Sequence, residues 1–120
     1  MSGSIRLLVV LAGLVLALAA PAHAQQGFRV TYDVDQSRPD KARITGRVVN
    51  ERTQDVFEVN VTAEALDARG RVLARGISYV DARIPPSDSR PFSMSVPTVP
   101  GTTGFRVVVS SYRTGVYQGP

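Results

Sequence analysis

The chain has 120 residues, a formal net charge of +4, one His, no Cys and no Trp. That length accommodates one domain, and a hydrophobic content of 43% is that of a globular chain, which excludes wholesale disorder. Without Cys there is no disulfide scaffold, no thiol nucleophile and no cysteine zinc site.

The amino-terminal segment reads as an address. Arg6 precedes an unbroken apolar run from Leu7 to Ala20, Pro21 ends it, and Ala22-His23-Ala24 places small residues two apart. A basic start, a short apolar stretch and an A-x-A site predict a secretory signal peptide over residues 1–24, helical in its apolar part, with cleavage between Ala24 and Gln25. The run is shorter than the ~20 apolar residues of a spanning helix. Retention as an anchor is therefore the lesser alternative, and no membrane span is expected after cleavage. No Cys follows the run, which excludes lipoprotein-type lipid attachment. Cleavage removes Arg6 and the lone histidine, His23. Lys41 is the one lysine among many arginines, a bias that points to a GC-rich bacterial genome and so to a periplasmic or secreted destination. That compartment permits disulfides; a chain without them relies on its core, and one of this size buries enough surface to do so.

Residues 25–120 are expected to form one β-domain. Phe28, Val30, Tyr32 and Val34 alternate with Arg29, Thr31, Asp33 and Asp35; Ile44, Gly46, Val48 and Asn50 alternate with Arg43, Thr45, Arg47 and Val49. Phe57, Val59, Val61, Ala63 and Ala65 alternate with Glu58, Asn60, Thr62 and Glu64, and Phe92, Met94 and Val96 alternate with Ser93 and Ser95. A period of two is that of strands with one buried and one wet face. Phe105 to Val109 passes from alternation into a β-branched run, which suits a more deeply buried strand.

The punctuation agrees. Glu51 to Asp55 is a polar connection of hairpin length. Asp67-Ala68-Arg69-Gly70 is a tight turn in which Gly70 is free to adopt positive φ. Proline donates no amide, so Ile84-Pro85-Pro86 ends a ladder, and Pro97 to Gly104 is a further loop. Ala63 to Arg75 is rich in helix formers, and a helix there is the alternative to strand, turn, strand. In Arg71 to Val80, Leu73, Ile77 and Tyr79 share one face and Val72, Ala74 and Val80 the other. Several short strands at this spacing predict an all-β, antiparallel β-sandwich of six or seven strands. The expected core is Val30, Tyr32, Ile44, Val48, Phe57, Val59, Val61, Ala63, Leu73, Phe92, Met94, Phe105, Val107 and Val109. The tail Thr114–Pro120, which bears Val116 and Tyr117, is expected to fray, docking on the domain or on a partner being the lesser alternative.

Ile44-Thr45-Gly46-Arg47-Val48-Val49-Asn50 has the form G-x-V-x-N. It is followed by a variable loop, the alternating strand Val59–Ala65, then Leu66-Asp67, Gly70, Val72-Leu73, and Ile84-Pro85-Pro86 leading to Phe92. Over roughly Ile44 to Val109 this pattern resembles the FxLYD family of small extracytoplasmic domains. At the five signature positions the chain reads Ala63-Glu64-Ala65-Leu66-Asp67, with Asp67 identical. The resemblance implies an immunoglobulin-like sandwich and an add-on binding or envelope-associated role, and it carries no catalytic residues.

The remaining residues exclude most chemistries. After cleavage no His or Cys is left to serve as base or thiol in a nucleophilic triad, and Lys41 lacks S-x-x-K spacing. Zinc wants N or S ligands. Glu58 and Glu64 lie ~20 Å apart at the strand rise, too far to flank one glycosidic bond. Asp33 and Asp35, ~6.6 Å apart by the same rise, read as charges that protect an edge strand. Asp33-x-Asp35 is only a fragment of a calcium loop, Gly101-x-x-Gly104 opens no helix and reads as turn geometry, and Asn60-Val61-Thr62 sits in a strand rather than a glycosylated loop. No enzyme, cofactor or metal is expected.

Two binding readings remain. The first is a non-catalytic interaction module of the bacterial cell envelope, recognising an envelope or secreted protein by its surface or by an edge strand, β-augmentation being one route. The second is an anionic-ligand binder, for an acidic polysaccharide or a lipid headgroup, through Arg43, Arg47, Arg69, Arg71 and Arg75, since guanidinium grips carboxylate or phosphate bidentately. Against it, if the Arg43–Arg47 strand forms a hairpin with the Glu58–Glu64 strand, Arg and Glu face each other and neutralise that face. Nucleic acid is excluded as a partner by the modest charge, the lack of a recognition motif and the address.

Overall fold

The computed structural model describes residues 23–25 and 27–114. The expected signal segment up to residue 22 lies outside them, as do Val116 and Tyr117 of the tail. The described residues form β1 (His23–Gln25), β2 (Phe28–Asp35), β3 (Lys41–Asn50), β4 (Val56–Leu66), β5 (Val72–Ile84), β6 (Ser89–Pro97) and β7 (Gly104–Thr114). Among them no helix is long and apolar enough to cross a membrane. The helix-forming composition of Ala63–Arg75 is overridden: β4 runs to Leu66, Gly70 turns the chain at φ 80°, and β5 begins at Val72.

The fold is an all-β, antiparallel sandwich. One sheet has the order β1-β2-β3-β6 and the other β5-β4-β7, with every pairing antiparallel. This places β2, β3 and β6 in the relationship of strands A, B and E of an immunoglobulin sandwich, and β4 and β7 in that of C and F.

The expected β3–β4 hairpin is not formed, because β3 and β4 belong to different sheets. Arg43 and Arg47 therefore do not face Glu58 and Glu64; Arg43 stands opposite Asp35 and Ser95, and Arg47 opposite Thr31 and Pro91. The reason lies in Asn50, which is fully buried. Its Nδ2 donates to the carbonyls of Gln54 and Ile84, both at 2.9 Å, and its Oδ1 accepts from Arg52 N at 2.9 Å. Its backbone N–H donates to Asp88 O at 2.9 Å and its carbonyl accepts from Ser87 N at 2.7 Å. Those bonds turn the connection across the sandwich, where length alone suggested a simple reversal.

Side chains from both sheets fill the interior. Val30, Ile44 and Val48 meet Val59, Val61, Ala63, Val107 and Val109, with Phe92 and Met94 from β6. Phe28, Ala42, Val56, Ala65, Ile84 and Val96 are also buried. Tyr32 and Phe105, expected inside, are partly buried at the margin. There the Tyr32 hydroxyl donates to Phe105 O at 3.0 Å and joins the two sheets. Phe28 and Tyr112 meet edge-to-face at 4.8 Å between centroids on the same side.

Two expected core residues are displaced. Val56 and Val59 are both fully buried although three residues apart, which strict alternation forbids. The register shifts between Phe57 and Asn60, and Glu58 sits at φ 52°. This bulge inserts one residue, so Phe57 turns outward and is half-buried. Leu73 is likewise only half-buried. Both faces of β5 carry apolar residues, and Gly76 decides between them. A Cβ there would fall 2.5 Å from Ser95 O and 3.2 Å from Val96 Cγ2, so the set containing Ala74, Gly76 and Val80 lies against β6 and the core. An ion pair from Arg90 Nε to Asp81 Oδ2 at 2.8 Å closes the same side.

Candidate functional site

With Ala74 and Val80 packed on the core, the opposite face of β5 must look outward. It carries Arg75, Ile77 and Tyr79. Ile77 is 69% exposed and Tyr79 54%, among the described residues the large hydrophobic side chains most open to solvent. Isolated exposed hydrophobics are ordinary; these two are not isolated. The register lines up Ile77, Thr62 and Val108 across the three strands in one row. Thr62, in the middle of that row, is only 8% exposed although it points outward, because Ile77 and Val108 flank it.

The neighbouring rows frame this apolar strip. On one side, Arg75, Glu64 and Arg106 stand across from one another. Glu64 Oε2 pairs with Arg75 Nε at 3.4 Å, and Glu64 Oε1 accepts from Arg106 Nε at 2.9 Å and Nη2 at 2.5 Å. One carboxylate thus holds two guanidinium groups, and the row keeps a net positive charge with N–H groups left over for an incoming acceptor. On the other side, Tyr79 stands opposite Asn60, which stands opposite Ser111. The Tyr79 hydroxyl donates to Glu58 Oε1 at 3.1 Å, and partial desolvation, together with that carboxylate, pushes the phenol above its ordinary range. The bulge that turns Glu58 to φ 52° is what places it there. Next in order, Phe57 lies between Arg83 and Arg113. The outer face of the three-stranded sheet is therefore a strip of aliphatic and aromatic groups with a mainly cationic border.

The five arginines expected to act together are distributed over the molecule. Arg43 and Arg47 lie on the outer face of the other sheet, where Arg47 Nε donates to Ser89 Oγ at 3.1 Å. Arg69 and Arg71 belong to the β4–β5 turn. Asp67 Oδ1 accepts from the backbone N–H of Arg69 at 2.8 Å and of Arg71 at 2.9 Å, and its Oδ2 pairs with Arg71 Nε at 2.9 Å. Of the five, Arg75 alone stands on the β5-β4-β7 face, and its companion is Arg106, which is not among the five. The signal for Arg106 was present: with Phe105 and Val107 directed inward, alternation turns Arg106 out beside Glu64. Alternation puts Ile77 and Tyr79 on one face with Leu73, an expected core residue, so the pattern by itself does not mark that face as exposed.

Among the described residues no group of three His, Cys, Asp or Glu side chains is arranged to hold a metal ion. No family model, curated protein or solved structure matches the chain.

Proposed function

We propose that the chain is an exported, non-catalytic interaction module of a bacterial cell envelope that binds a protein partner through the outer face of β5, β4 and β7. The reading is carried by the contiguity of Ile77, Tyr79 and Val108 on a face that, among the described residues, no other element covers. An exposed apolar patch with a polar border marks protein interaction sites. An aromatic ring beside arginines has the composition of interface anchors. The signal segment over residues 1–24 supplies the address, and the FxLYD-like run from Ile44 to Val109 accords with an extracytoplasmic sandwich of this kind. The test is affinity capture from an envelope extract, comparing the wild type with the paired substitution Ile77→Asp and Tyr79→Ala. Proteins retained by the wild type and lost by the pair support the reading; an identical set from both, or none above background from either, contradicts it.

The arginine pair beside the patch favours a second reading, an anionic ligand held by Arg75 and Arg106 above Glu64. Binding of an acidic polysaccharide that weakens steeply with salt, and that is lost in Arg75→Ala with Arg106→Ala, would support this reading over the first.

A further inference from the structure

The edge of the other sheet carries a pattern of its own. β2 is paired along its whole length with β3; on its outer side the described residues pair it with β1 over Phe28–Val30. Glu51 N donates to Gly27 O, so the odd-numbered backbone groups that follow point toward β3. In an antiparallel ladder those of Phe28, Val30, Tyr32 and Val34 then point to the edge. Gln25 stands opposite Phe28 and His23 opposite Val30 across the turn at Gly27, as that alternation requires. The backbone groups of Tyr32 and Val34 face outward beyond the last β1 pair.

Around Thr31 the pattern of apolar and charged residues is symmetric, with the two charges opposite in sign. Val30 and Tyr32 flank it, then Arg29 and Asp33, then Phe28 and Val34. An antiparallel partner of the same sequence, related by a two-fold axis through Thr31, would set Val30 against Tyr32, Phe28 against Val34 and Arg29 against Asp33. The first two pairs are the ones whose backbone groups point to the edge. Their side chains lie on the interior face, and Arg29, Thr31 and Asp33 lie on the outer one. Asp33 makes no ion pair among the described residues, and Arg29 is held only through Nε, by Glu51 at 2.9 Å, which leaves the rest of its guanidinium for a second carboxylate. Charges that shield an edge against arbitrary strands are here disposed so that one strand, its own copy, satisfies them.

We infer that β2 is a self-pairing edge through which two copies of this chain join β6-β3-β2 edge to edge into one continuous sheet, and that β1 competes for the same edge. A closed two-fold contact uses the same patch on both copies, and opposite charges directly across strands stabilise such a pair while like charges oppose it. Cleavage between Ala24 and Gln25 would remove most of β1 and open the edge; only this link depends on the export reading proposed above. The interaction face around Ile77 is on the other sheet and is not involved.

All the buried core residues described lie between Phe28 and Val109, so a chain beginning at Gln25 contains every one of them. Sedimentation equilibrium on that chain should show a monomer–dimer equilibrium, and a chain beginning at Ala22, which keeps β1, should dimerise about tenfold more weakly. In the shorter chain Asp33→Arg places like charges opposite each other and should weaken association about tenfold, and adding Arg29→Asp should restore it. Circular dichroism verifies the fold of each variant. The inference is overturned if the Gln25 chain is monomeric at millimolar concentration, or if its dimer withstands Asp33→Arg or is not rescued by the double reversal. Equal dimerisation of the two chain lengths overturns the competition by β1. None of these results bears on capture through Ile77 and Tyr79.

Discussion

Phe92 lies over Gly46: a Cβ at Gly46 would fall 2.8 Å from Phe92 Cζ, and closer still to the Thr31 carbonyl oxygen. The two residues stand opposite each other on β3 and β6, and the ring fills the space that the missing side chain leaves, a known way of covering a glycine within a sheet. Glycine is required there by a close approach of backbone and ring rather than by an unusual φ.

Gly46→Ala should therefore destabilise the protein by about 3 kcal/mol, at the upper end for an overpacked core, because the Thr31 carbonyl is ladder backbone and cannot give way. Gly70→Ala meets nothing within 4 Å and carries only the strain of φ 80°, about 1 kcal/mol. Urea unfolding of both variants checks the contrast.

Asn50→Ala should cost about 3 kcal/mol, since it leaves the Gln54 and Ile84 carbonyls and the Arg52 N–H without their partner. Asn50→Asp should be no better: it keeps the acceptor for Arg52 but sets a carboxylate against two carbonyl oxygens. The loss should appear in the urea midpoint with little change in slope, as for a change of stability alone.

The G-x-V-x-N run was legible as a pattern before its physics was. Gly46 makes room for Phe92, and Asn50 ties β3 to two loops; neither role is visible in alternation, which sees only polar and apolar. Alternation did locate β2, β3, β6 and most of β4. It fails at Glu58, where a bulge with positive φ on a residue other than glycine leaves no mark in composition and turns Phe57 outward. On β5 both faces are apolar, so the choice rested on Gly76, whose meaning depends on a β6 backbone that is distant in sequence. Residue type cannot tell which arginines share a surface, and the sandwich separates those of β3 from that of β5.

Glu64→Gln should lower stability by about 1 kcal/mol, a modest amount because both arginines it holds are substantially exposed. The loss should shrink as salt is added. In the anionic-ligand reading the same change removes the internal competitor for Arg75 and Arg106 and should strengthen polysaccharide binding, which isothermal titration measures.

Asp67 is held below the ordinary carboxylate value of 3.8, first by the hydrogen bond from the Arg71 backbone, then by those from Arg69 and from the Arg71 side chain. A depressed pKa in the folded state contributes stability that is present above the unfolded value and lost as pH falls through the lower folded one. Asp67→Asn should therefore be less stable than the wild type at neutral pH, and the two should converge below pH 3.8. Chemical unfolding at the two pH extremes checks both the sign and the window.

Site-directed photo-cross-linking in the intact envelope tests the interaction face most directly. A photoreactive phenylalanine in place of Tyr79 should give a discrete adduct with another protein, and the same group in place of the exposed Ser93 on the opposite sheet should not. No adduct from position 79, or the same adducts from both positions, would contradict the assignment of binding to the β5-β4-β7 face.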